Sequence, residues 1–83
     1  MTDSTIVSVA SGGSHTICFN TSGQVFVWGC NYSGELGLET QVSKANRPTL
    51  LMEDPQVFSI ACGKMHSMIL KRNGELYVFG NSL

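Results

Sequence analysis

Two histidines and three cysteines, His15, His66, Cys18, Cys30 and Cys62, are the residues of this 83-residue chain whose chemistry suits a metal site. Zinc sites built from these residue types draw their ligands from closely spaced pairs, and the chain has neither a Cys-x-x-Cys nor a His-x-x-x-His. The thiols instead fall inside or beside apolar runs, where a free cysteine behaves as a small hydrophobe, and no metal is expected. A second candidate is Gly29-Cys30-Asn31-Tyr32-Ser33-Gly34-Glu35, whose glycines have phosphate-loop spacing. A glutamate stands where a lysine would have to neutralise phosphate, and no helix follows, so nucleotide binding is not expected there. Nor do Asp3 and Asp54, in terminal and loop contexts, complete a nucleophile, base and acid set. The chain reads as a non-enzyme without a cofactor.

What His15 and His66 do share is a register. Ile6 to Asn31 laid over Val57 to Ser82, 51 residues on, matches at seven positions, among them Gly12/Gly63, His15/His66, Gly23/Gly74, Val27/Val78 and Gly29/Gly80. A catalytic group is needed once, so a histidine duplicated at equivalent turn-to-strand junctions points to a framework role, its imidazole bonded to a neighbouring backbone group. A fixed offset with apolar positions in step marks a repeat that stacks on its neighbours.

The elements follow from composition. Ile6 to Ser11, His15 to Asn20 and Gln24 to Gly29 are rich in β-branched, aromatic and aliphatic residues and are bounded by turn formers, so they read as strands. The second copy repeats them at Val57 to Cys62, His66 to Lys71 and Glu75 to Gly80, with Asn73-Gly74 as a strong hairpin signal. Between the copies, Asn31 to Pro55 carries a short strand at Thr49 to Met52, bracketed by Arg47-Pro48 and Asp54-Pro55, and room for a helical turn within Glu39 to Ala45. Runs such as Val25-Phe26-Val27-Trp28 are apolar on both faces of a strand, which requires cover on both faces of the sheet. Blades of a β-propeller meet that condition. Trp28, the largest apolar side chain, is expected in the core.

These pieces resemble the repeat family named for the regulator of chromosome condensation, whose members fold as seven-bladed β-propellers. The residues that carry the resemblance are Ala10 to Thr16, Gly23 to Asn31 and Gly34-Glu35-Leu36-Gly37 in the first copy, and Ala61 to Ser67 and Gly74 to Asn81 in the second. Glu35 replaces the usual glutamine and Phe79 the usual tryptophan. The resemblance implies an all-β fold of antiparallel blades: a tail at residues 1–5, a four-stranded first repeat at 6–56 and a partial second repeat at 57–83. Its structural motif residues are Gly12, His15, Gly23, Trp28, Gly29, Gly34, Leu36, Gly37, Gly63, His66, Gly74, Phe79 and Gly80.

Composition narrows the function. A formal charge of −1, with no Lys or Arg before Lys44, leaves no basic stripe for nucleic acid. The N-terminus lacks a basic segment followed by an apolar run, no run is long enough to span a membrane, and an odd number of cysteines suits reduced thiols, so the chain reads as intracellular, in nucleus or cytoplasm. A hydrophobic content of 42% in so short a chain calls for further burial, supplied by self-association or by the remaining blades of a parent propeller. The expected function is a protein-interaction scaffold, with polar loop residues Glu39, Gln41, Lys44, Asn46 and Arg47 as contacts. The alternative that the resemblance implies is guanine-nucleotide exchange on a small GTPase.

Overall fold

The structure, a computed structural model, describes residues 5–38 and 43–80. Seven strands run in chain order: β1 (Ile6–Ser11), β2 (His15–Asn20), β3 (Gln24–Cys30), β4 (Lys44–Glu53), β5 (Val57–Cys62), β6 (His66–Lys71) and β7 (Leu76–Gly80). They form a four-stranded sheet ordered β1-β2-β3-β4 and a three-stranded sheet ordered β5-β6-β7, with every neighbouring pair antiparallel. The two sheets are successive blades of one plan, since β1 to β3 and β5 to β7 keep the same registers: His15 opposes Gly29 as His66 opposes Gly80.

One face of each sheet is buried against the other. The first contributes Ile17, Phe19, Val25 and Val27, and the second contributes Val57 and Ile69, with Ile60, Tyr77 and Phe79 packed around them. Alternation along the strands puts the remaining apolar residues on the two outer faces, where Val9, Leu50, Leu76 and Val78 are exposed. The double-sided apolar runs of the sequence therefore have cover on one side within this chain. Trp28, expected in the core, belongs to an outer face: it pairs with Thr16 in the register that sends Val27 and Ile17 inward, and it is half-buried. The sequence could not assign faces because both were apolar.

The fourth strand is longer than the expected Thr49 to Met52 and takes in Pro48 and Lys44. Its ladder to β3 runs from Gly29↔Ala45 to Val27↔Thr49, so Asn46, Arg47 and Pro48 oppose Trp28 alone. Proline has no N–H to give a ladder and is tolerated at an edge or a bulge, and this one occupies both. β4 occupies the segment from Lys44 onward, so no helical turn reaches Ala45, and residues 39–42 lie outside the described residues.

Candidate interaction surface

The seam between the blades begins with the glycine turns. Gly12 N–H donates to the His15 carbonyl (2.9 Å) and closes the β1–β2 turn, and a side chain on Gly12 would collide with the His15 ring. The ring is thereby aimed across the seam, and its Nε2 donates to the His66 carbonyl at 3.2 Å. His15 is only 3% exposed, and its Nδ1 is buried without a partner. That leaves the ring one structural bond, from blade to blade. Gly63 and His66 repeat the turn in the second blade, with Gly63 N–H on the His66 carbonyl (2.9 Å) and the ring again packed over the glycine. A second tie runs from Gly13 N–H to the Lys64 carbonyl (2.9 Å).

The segment Asn31 to Leu38 fills the seam at its other side. Asn31 Oδ1 accepts from Leu36 N–H (3.0 Å), Glu35 Oε1 accepts from Ser33 N–H (2.8 Å), and the Glu35 carbonyl accepts from Ser67 Oγ (2.6 Å). Leu36 is thus held as a fully buried plug between blades. Gly37 fits between Leu51 of β4 and the Phe79 ring of β7, about as close as a side chain there would allow. Gly29 needs both its glycine properties: its φ of 109° is left-handed, and Ser14 and His15 backbone atoms crowd the space a Cβ would take. Gly80 stands in the equivalent place over Met65 and His66, while Gly34 and Gly74 occupy turns open to solvent.

Sequence reasoning missed the polar groups that set the hairpin turns. In the first blade Asn20, which is buried, accepts from Ser22 and Gln24 N–H and donates to the Gln24 side chain (2.9 Å). The second blade has Lys71 and Glu75 at the equivalent positions, joined at 3.0 Å, and Lys71 also reaches Asp54 Oδ2 at 2.6 Å. An amide pair in one copy has become an ion pair in the next, visible as Asn20/Lys71 and Gln24/Glu75 in the 51-residue register. Asp54 lies in the turn that links the blades, where its side chain accepts from Gln56 N–H (2.9 Å).

The bond to Lys71 holds the Asp54 and Glu75 carboxyls below the usual carboxylate range, and the two carboxylates push the Lys71 ammonium well above its ordinary value. Carboxylates with lowered pKa stabilise the fold above the ordinary range, near pH 4, and lose that effect as pH falls through the lowered values. Comparison of thermal unfolding of the wild type and Lys71→Met is expected to show a gap at pH 6 that closes as pH falls below about 4. Because these groups lie near solvent the gap is modest; a gap undiminished at about pH 2.5 would contradict the assignment.

Of the expected contact residues, Lys44, Asn46 and Arg47 are exposed on the edge strand β4, the last two within its bulge. Glu39 and Gln41 lie outside the described residues. Among the described residues no three His, Cys, Asp or Glu side chains gather as metal ligands, and no helix is long and apolar enough to cross a membrane.

The comparison with family models decides the assignment: the model described as the regulator of chromosome condensation (RCC1) repeat matches residues 22–70, and a second model of the same description matches 6–35 and 59–82. The chain belongs to the regulator of chromosome condensation repeat family. Among its relatives, human Protein RCC2 is 41% identical over 76 residues, covering 90% of this chain and 15% of that protein. The regulator of chromosome condensation of Xenopus laevis is 34% identical over 77 residues, covering 92% of this chain and 18% of that protein. Prp20p of Saccharomyces cerevisiae, whose crystal structure was described with its binding properties to Gsp1p and histones, superposes with a TM-score of 0.85 at 24% identity, over 96% of this chain and 21% of that one. The chain therefore spans about a fifth or less of these relatives, and its two sheets are β-propeller blades.

Proposed function

We propose that this regulator of chromosome condensation repeat segment is a protein-interaction scaffold without enzymatic activity, which contacts a protein partner through its rim and loops. The observation that carries the reading is the division of labour among polar groups. Those of the seam, from His15 to Ser67, are consumed in holding blade to blade, whereas the bulge of β4 turns Asn46 and Arg47 to solvent beside Lys44. An edge strand whose ladder is interrupted presents backbone and charge to a partner while resisting strand addition.

Candidate partners come from what the Prp20p structure was described as binding, Gsp1p and histones. Pull-down of each with the chain, before and after joint alanine substitution of Glu39, Gln41, Lys44, Asn46 and Arg47, is expected to show binding that falls at least tenfold in the substituted form. Equal binding by both forms would refute this surface.

The second reading, guanine-nucleotide exchange on a small GTPase, is favoured by the 34% identity to the Xenopus laevis regulator of chromosome condensation. Release of labelled nucleotide from Gsp1p separates the two. A scaffold binds without accelerating release, and an exchange factor accelerates it.

A further inference from the structure

A cleft of about 270 Å³ opens at the end of the seam where the glycine turns of the two blades meet. It lies between Gly13-Ser14 of the first blade, Lys64-Met65 of the second, and the start of the plug segment, which contributes Tyr32 and Glu35. Its walls come from both blades and from the segment between them, so the cleft is complete within this one seam.

Glu35 is the group there that the seam does not use up. It is only 4% exposed; its Oε1 accepts from Ser33 N–H at 2.8 Å, and its backbone carbonyl accepts from the Ser67 hydroxyl. A glutamine would make both bonds, since an amide oxygen accepts as a carboxylate oxygen does. The negative charge and the second oxygen, Oε2, are therefore surplus to holding the blades together. Among the described residues Oε2 has no hydrogen bond and Glu35 no ion pair, yet Oε2 is not sealed in as the His15 Nδ1 is, and Glu35 lines the cleft. A carboxylate in so buried a setting is costly unless several donors or a cation meet it.

The rest of the cleft narrows which cation. No three His, Cys, Asp or Glu side chains gather among the described residues, so a metal ion would lack its further ligands. An ammonium or guanidinium group needs only a carboxylate and an apolar or aromatic wall. Tyr32, 76% exposed, and Met65, 41% exposed, supply that wall, with a ring face for the charge and a polarisable thioether for the stem. Lys64 shares the lining with its stem laid over Gly13, but it is exposed, so solvent screens its charge more than that of the buried Glu35.

We propose that this cleft receives a basic side chain, lysine or arginine, of a protein partner, with Glu35 as its counter-ion and Tyr32 as the aromatic face beside it. This goes beyond the scaffold reading, since it names a contact distinct from the β4 bulge and does not depend on that bulge binding anything.

NMR titration of the isotope-labelled chain with a short glycine–serine peptide carrying one central arginine or lysine, and with the same peptide carrying glutamine there, tests it. The basic peptides are expected to give saturating shifts at Tyr32, Glu35 and Met65, and the glutamine peptide none. Glu35→Gln is expected to weaken binding about tenfold or more, the worth of one hydrogen bond to a charged group, with an unfolding midpoint no lower than the wild type because the seam bonds are kept. Glu53→Gln, an exposed site with the same change of net charge, should leave the affinity unchanged. Tyr32→Ala should weaken it about two- to fivefold, as for a cation over an exposed ring, and carries the comparison should Glu35→Gln fail to fold. Absence of saturating shifts, or equal weakening by Glu35→Gln and Glu53→Gln, would overturn the proposal. So would binding that appears only after Lys64→Met, because the carboxylate would then serve Lys64 within the chain. The readout is this peptide and not Gsp1p or histones, so failure of the rim to bind those proteins would leave it untouched, and the two readings fail separately.

Discussion

Leu36→Ala is expected to lower unfolding stability by about 2–5 kcal/mol, the range for removing a buried leucine whose cavity does not collapse. The site has little freedom to collapse. Leu36 is fully buried in the cluster that joins both sheets, its own amide is fixed by Asn31, and the preceding carbonyl is fixed by Ser67 of the opposite blade. A chain of this length has a total stability on the order of 4–12 kcal/mol, so the substitution removes a large share of it. Urea unfolding followed by circular dichroism should show a much lower midpoint with an unchanged slope, as expected for a lost contact in an otherwise intact fold. A loss below about 1 kcal/mol would mean that the plug is dispensable and that the blades hold each other without it.

Gly23→Val should have an effect at least as large, for a different reason. Gly23 has a φ of 80°, and the space where a Cβ would stand is taken by the backbone of Asp54, whose N–H bonds to the Gly23 carbonyl at 2.9 Å. A β-branched residue there meets both conformational strain, on the order of 1–3 kcal/mol, and a collision with main chain that has no side-chain rotamer to yield. Gly74 supplies the control, because it is its repeat equivalent, with a φ of 94° and nothing within 4 Å of its would-be Cβ. Gly74→Val should therefore show the strain alone and remain folded, whereas Gly23→Val should fail to give a cooperative transition. Equal losses at the two positions would show that the approach of Asp54 is not what demands glycine at residue 23.

The strands and their hairpins were legible in the residues because turn formers and apolar runs recur in a fixed register, and β1, β2, β5 and β6 have the expected bounds. β4 was legible only in part. Its first half, Lys44-Ala45-Asn46-Arg47-Pro48, has little intrinsic preference for a strand and is extended because the edge of β3 offers it a ladder, a tertiary cause that local composition does not carry. Trp28 was misplaced because size and hydrophobicity argue for burial without saying on which side of a sheet cover lies. Ser67 and the Asp54, Lys71 and Glu75 group went unseen because their partners are brought together by the fold: Ser67 meets a carbonyl 32 residues away, and Asp54 meets Lys71 across the inter-blade turn. The register did contain a hint, in the hydroxyl shared by Thr16 and Ser67.

The two sheets approach each other more closely on one side than on the other. β5 rests directly against β1 and β2, while on the far side Leu36 and Leu38 stand between the sheets and Gly37 is wedged between Leu51 and Phe79. Each blade with its plug therefore has the taper of an arch stone, thin at one edge and thick at the other. Stones cut flat pile into a column, and tapered ones turn through a fixed angle at every joint. The volume of the side chains at positions 36 to 38 thus acts as a curvature setting, and a bulkier or slimmer plug would change how sharply successive blades bend around a common centre.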